Sequence, residues 1–278
     1  MRAWVSIACA VAGWSGVAIA QQSATAPNSA TFDVASVKPN RSGELLIRLD
    51  TEPGGRFLAV NTPLKALIQL AYGVQDFEII GAPGWAGSEP FDVNAKATQD
   101  LPPLEGPNRG SPLLQQMLQA LLRERFSLVA HTETRESQGL ALMMSRSDGR
   151  LGPRLTPSKI DCAALIAQAK PDDGPPACGF RMSPGSIVLE GVPVSQIASG
   201  LSGLLGRPIV DRTGLTGNFD LQLHWDPPAR SRDGSIVPND TGVSLFTAMG
   251  DQAGLKLTEA KIPGTVLVID SVQRPTPN

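Results

Sequence analysis

Apolar positions recur along this chain with two periods, and the period switches at prolines and glycines. Phe32-Asp-Val-Ala-Ser-Val37 alternates apolar and polar residues, which predicts a strand with one buried face. Leu45 to Leu49 and Arg56 to Val60 read the same way. At Thr62-Pro63 the spacing changes to three and four: Leu64, Leu67, Ile68 and Ala71 make one helical face, with Thr62 as the expected cap, Pro63 at the first helical position and Gly73 as the left-handed stop. Strands follow at Phe77 to Ile80 and Phe91 to Ala97, then a Pro/Gly-rich loop from Leu101 to Gly110. Ser111-Pro112 starts a helix whose stripe is Leu113, Leu114, Met117, Leu118, Leu121 and Leu122, the face expected to pack on its own sheet. Ser127 to Arg135 and Leu140 to Met144 predict a hairpin turning at Glu136 to Gly139.

The second half repeats this grammar. Gly55-Arg-Phe-Leu-Ala-Val-Asn-Thr-Pro63 has a counterpart 130 residues on, Gly185-Ser-Ile-Val-Leu-Glu-Gly-Val-Pro193. Gly84-Trp-Ala-Gly87 aligns with Gly214-Leu-Thr-Gly217, and Phe91-Asp-Val93 with Phe219-Asp-Leu221. The predicted elements are a strand at Ser186 to Leu189, a helix from Pro193 to Leu205 closed by Gly206, and strands at Ile209 to Asp211 and Asn218 to Trp225. A helix from Ser244 to Ala253 closed by Gly254 and strands at Lys256 to Glu259 and Thr265 to Val272 complete the set. The expected fold is α+β: two tandem small units of helices packed on mixed or antiparallel sheets, an internal duplication that puts Pro63 on Pro193 and Phe91 on Phe219. The expected segments are a signal peptide at 1–20, a flexible leader at 21–30, a first unit at 31–145, a connector at 146–181 and a second unit at 182–278.

Composition adds the compartment. Arg2, the apolar run Ala3 to Val17 and Ala18-Ile19-Ala20 have the order of an export signal cleaved before Gln21. No later stretch is apolar enough to predict a membrane span. Cleavage takes one of the 24 Lys and Arg and none of the 26 Asp and Glu, leaving a slightly acidic chain. That balance gives no electrostatic footprint for nucleic acid and no polybasic surface for lipid. Cys162 and Cys178 remain, and an even pair in an oxidising compartment favours a disulfide pinning the connector.

Two resemblances follow from these residues. Pro193-Val-Ser-Gln-Ile-Ala-Ser-Gly-Leu, Gly206-Arg-Pro-Ile-Val-Asp211, Phe219-Asp-Leu-Gln-Leu, Val243-Ser-Leu-Phe-Thr-Ala-Met and Gly254-Leu-Lys-Leu resemble the short N-terminal domain of secretins and TonB-dependent receptors. Pro63 to Met144 resembles it more loosely. Phe32-Asp-Val-Ala-Ser-Val-Lys-Pro-Asn40, Pro53-Gly-Gly-Arg-Phe57, Ala71-Tyr-Gly-Val74 and Val210-Asp-Arg-Thr-Gly-Leu-Thr-Gly217 resemble a family of secreted soil-bacterial proteins of unknown function. The resemblances imply envelope location and architecture. They carry no catalytic residues.

Candidate chemistry is sparse. His131, Glu133 and Arg135 share one face of a strand, either an acid/base group with a carboxylate neighbour or a solvated face. His224 ends a strand. No G-x-S-x-G elbow, phosphate loop or metal spacing occurs. The expectation is therefore no catalytic residue, no cofactor and no metal. Asp211, Arg212 and Thr213 form the most unusual polar stretch, a ligand clamp or a simple turn. Trp85 and Trp225 near strand ends are candidate interface anchors. The reading is an exported, non-enzymatic envelope protein that contacts a protein or ligand, with an exported hydrolase or a periplasmic small-molecule sensor as alternatives.

Overall fold

The computed structural model describes residues 30–44, 46–104, 110–168, 178–227, 229–230, 236–237 and 242–275. The expected signal peptide, nearly all of the leader, and much of the loops after Leu101 and after Asp226 lie outside these residues.

The first half runs β1 (Val34–Pro39), β2 (Arg48–Glu52), β3 (Arg56–Pro63), α1 (Leu64–Tyr72), a 3-10 turn at Asp76–Glu78, β4 (Ile79–Ile80), α2 (Trp85–Ser88), β5 (Pro90–Lys96), α3 (Pro112–Phe126) and β6 (Val129–Met144). The rest runs β7 (Leu155–Pro157), α4 (Cys162–Gln168), β8 (Gly179–Ser183), β9 (Ser186–Pro193), α5 (Val194–Leu205), β10 (Ile209–Asp211) and β11 (Asn218–His224). A small ribbon of β12 (Ala229–Arg230) and β13 (Ile236–Val237) precedes α6 (Leu245–Ala248), which continues as a π-helical turn over Met249–Ala253 into β14 (Leu255–Ser271). The fold is α+β with mostly antiparallel sheets.

Two outer sheets have the same layout: β1-β5-β3-β2 and β7-β11-β9-β8, all antiparallel. Register agrees as well. Thr62 faces Phe91 and Pro63 faces Pro90, while Val192 faces Phe219 and Pro193 faces Asn218. Both ladders are bulged just before these pairs. The extra residue has positive φ in each, Asn61 at 53° and Gly191 at 67°. A carboxylate holds each bulge: Asp92 Oδ1 accepts from the Asn61 N–H at 2.9 Å, and Asp220 Oδ1 accepts from the Gly191 N–H at 2.8 Å. A bulge leaves a ladder donor unpaired, and a short acceptor on the neighbouring strand satisfies it.

Each outer sheet buries one face. Phe57, Ala59, Phe91, Val93 and Ala95 meet α1 and α3, and Phe126 packs edge-on against Phe91 with ring centroids 5.2 Å apart. Ile187, Leu189, Phe219, Leu221 and Leu223 meet α5, α6 and the π-helical turn. A third sheet, β10-β6-β14-β4, joins the two cores. Its long strands β6 and β14 pair antiparallel from Leu255 opposite Met144 to Ser271 opposite Val129. Leu267 and Ile269 enter the first core, while Leu142 and Leu255 enter the second. β4 pairs parallel with β14 at one end and β10 parallel with β6 at the other, so each half lends a short strand to the last strand of the other half.

Several expected boundaries move. Glu136 to Gly139 is not a turn: β6 passes straight through it, as β14 passes through Pro263-Gly264. Pro263 is tolerated because, among the described residues, the outer edge of β14 has no partner strand there. Thr62 is not a helix cap. It lies next to the end of β3, fully buried, and its hydroxyl donates to the Val60 carbonyl at 3.0 Å, while Pro63 ends the strand and occupies the cap position in extended conformation. Pro193 does the same before α5. Ser111 does cap α3, accepting from the Leu114 N–H. Of the strand expected at Phe77 to Ile80 only Ile79–Ile80 is strand, and Phe77 and Glu78 belong to the 3-10 turn. Gly84 to Gly87 leads into α2, but Gly214 and Gly217 sit at φ 73° and 90° with no helix between them, so this matched pair differs in conformation. β7 and the start of β8 fall within the stretch read as a connector, where they are edge strands of the second sheet.

Candidate functional site

The sequence candidates are held in separate neighbourhoods. Asp211 ends β10, and its carboxylate accepts from the Thr213 N–H at 2.8 Å and the Thr213 hydroxyl at 2.7 Å. The Thr213 hydroxyl in turn accepts from the Leu215 N–H. This is a self-satisfied turn, with the Arg212 N–H donating to the Leu142 carbonyl and its side chain exposed. Trp85 packs on the first core, edge-on to Phe91 at 6.4 Å, while Trp225 packs on the second. Arg274 lies 4.9 Å over the Trp85 ring and grips Glu89 with two bonds, at 2.8 and 2.6 Å. This grip fastens the chain after β14 to α2, and its hydrogen bonds hold the Glu89 carboxyl below the usual carboxylate range.

Cys162 and Cys178 form a disulfide, Cα atoms 5.5 Å apart, buried in the second core. It ties α4 to the residue before β8, as the even cysteine pair suggested.

His131 lies on β6 with its side chain about half exposed. Its Nδ1 is 2.9 Å from an Asp270 carboxylate oxygen and its Nε2 is 4.0 Å from Glu133. Asp270 sits where the β6–β14 register slips between Ile269 and Ser271, and that irregularity aims it at the ring. Sequence alternation found Glu133 but not Asp270, which is 139 residues away. Glu133 also pairs with Arg135. His224 ends β11, where its backbone exchanges two bonds with the Gln252 amide. Among the described residues, no group of three or more His, Cys, Asp or Glu is placed to hold a metal. No helix among them is long and apolar enough to cross a membrane.

Two clefts flank the outer strand β1. One, about 230 Å³, lies between residues 31–35 and the α3 side chains of Ala120, Leu121, Glu124 and Arg125. The other, about 460 Å³, lies on the open face of the sheet and is lined by Val34, Ser36, Arg56, Asn94 and Lys96. None of these was singled out from sequence. The alternation of Phe91-Asp-Val-Asn-Ala-Lys96 shows which residues share a face, but only cross-strand register shows that Lys96 lies between Val34 and Arg56.

These features describe a disulfide-containing α+β protein of two half-open sheets bridged by a third. Residues 65–272 match the family described as Protein of unknown function (DUF3738), and the chain belongs to that family. No curated protein and no solved structure matches it.

Proposed function

We propose that this is an exported protein that works through contact with another protein or a ligand at the cell envelope, rather than by catalysis. The observation that carries this reading is the set of unpaired sheet edges. Among the described residues β1, β2, β7 and β8 each pair on one side only, and Val34 on β1 and Leu46 just before β2 are 69% and 78% exposed. A strand edge with exposed apolar side chains recruits extended segments by strand addition. The disulfide supports export, since such bonds persist in oxidising compartments. The matching strand orders, the equivalent bulges and the reciprocal loan of β4 and β10 support an internal duplication, and with it the likeness to the secretin and TonB-receptor short domain. The secreted soil-bacterial origin rests on the sequence resemblance.

The test is capture from envelope extract with the mature, disulfide-bonded protein, followed by competition with the purified partner. A saturable partner supports the reading. A second reading, hydrolysis, draws on the Asp270 carboxylate orienting His131. His131→Ala separates the two. If the variant folds and keeps partner binding, contact stands; if it folds but abolishes a turnover found in the parent, catalysis replaces it.

A further inference from the structure

The outer edge of β1 is flanked by a cleft on each side of its sheet. In an added strand, alternate side chains point to opposite faces, so paired clefts of this kind are what such a strand fills. The two clefts differ in charge. On the open face, Arg56 is the register partner of Lys96, and Lys96 of Val34, with Ser36 and Asn94 in the next cross-strand row. Among the described residues neither Arg56 nor Lys96 is in an ion pair: the nearby acids Asp50 and Glu52 turn to Arg48, at 3.1 and 3.8 Å. The Lys96 ammonium rests on the Gly54 carbonyl, which keeps it at the cleft. On the helix face, Asp33 and Glu124 border the cleft, Arg125 is engaged by the Ala35 carbonyl and Glu124, and Ala120 and the buried Leu121 form the wall. That side disfavours a carboxylate and suits a small apolar group.

We propose that β1 is the docking edge, and that its occupant is an extended acidic peptide alternating carboxylate side chains with small apolar ones. The carboxylates lie over Arg56, Lys96, Asn94 and Ser36, and the apolar side chains enter the cleft beside α3. Arg offers a planar pair of donors to a carboxylate, and Lys96, Asn94 and Ser36 supply further donors.

The inference rests on the contact reading above and is tested separately from it. The probe is an eight-residue capped peptide of alternating Asp and Val, titrated into the full mature protein by calorimetry. Saturable one-to-one binding that weakens in high salt is expected. Arg56→Ala with Lys96→Ala should weaken it about five- to twenty-five-fold, since each exposed ion pair contributes up to about fivefold. Both side chains are exposed, so folding should be unaffected. Arg56→Glu with Lys96→Glu should reverse preference, binding the Lys/Val peptide instead. The Asp/Val peptide methylated on alternate backbone nitrogens should lose binding, because strand addition needs its N–H donors. Equal binding of the methylated peptide, or of inorganic pyrophosphate, overturns strand addition in favour of a plain anion site. No peptide binding overturns the proposal altogether. If the charge-reversed variant then still captures the same envelope partner as the parent, the contact reading survives and only this edge is wrong.

Discussion

Replacing Asp220 by Ala should destabilise the second sheet through one bond. The Gly191 N–H is buried at the bulge of β9 and donates to Asp220 Oδ1 at 2.8 Å. A hydrogen bond to a charged group contributes about 1.5–3 kcal/mol, and an orphaned buried donor costs about the same. Asp220→Ala should therefore lose about 2 kcal/mol. Asp220→Asn keeps a neutral acceptor of the same reach and should lose about half of that. With a urea slope of about 2–3 kcal/mol per molar, the Ala variant should move the unfolding midpoint down by about 0.7–1 M. Asp92→Ala is the matched experiment in the first sheet. Its carboxylate accepts from Asn61 at 2.9 Å and from the Asn40 amide at 2.8 Å, so the loss there should be at least as large. Glu136→Ala, on an exposed stretch of β6, is the surface control and should stay within about 0.5 kcal/mol. Urea melts of the disulfide-bonded protein, followed by far-UV circular dichroism, give the comparison. If Asp220→Ala melts within about 0.2 M of the parent, the carboxylate does not hold the bulge.

The disulfide gives a second expectation: an unreduced, unfolded protein of residues 21–278 should show no free thiol, and Cys162→Ser with Cys178→Ser should cost about 3 kcal/mol in the chain-entropy account of a closed loop this short. Gly139→Val should be severely destabilising and should release β10 from β6, seen as fast amide exchange over Ile209–Asp211. A Cβ there would stand 2.4 Å from the Pro208 carbonyl oxygen and 2.5 Å from the Ile262 side chain. The clamp of Glu89 on Arg274 should be acid-labile. Because the folded carboxyl is depressed, its contribution is present above the unfolded value and is lost as pH falls through the folded one. Limited proteolysis after Ser271 should therefore speed up in acid, and Glu89→Gln should speed it already at neutral pH.

Much of the fold was legible locally. The stripe of α3, the Ser111 cap, and the stops at Gly73, Gly206 and Gly254 depend on residues within a few positions of each other, and all three glycines take left-handed conformations. The turn expected at Glu136–Gly139 and the break expected between Glu259 and Thr265 are both absent for one cause. Gly and Pro mark turns when the chain is free to bend, but here each strand is held straight by the other along the β6–β14 pairing. The candidate sites were less legible. Asp211 and Thr213 satisfy each other locally, as an Asx turn would, whereas Asp270 reaches His131 only through strand pairing.

The sequence by itself determined which stretches bury a face, the helix stops at Gly73, Gly206 and Gly254, the cysteine pair, and the similarity of Gly185–Pro193 to Gly55–Pro63. Each follows from period, from φ requirements or from composition, all of which are local. Tertiary structure alone decided that β4 joins β14 and β10 joins β6, and that Lys96 falls between Val34 and Arg56. It also decided that Asp92 and Asp220 each hold a bulge on a neighbouring strand. The reason is physical: a strand's alternation fixes which side chains face the core, but its partner and register are set by long-range hydrogen bonding and packing.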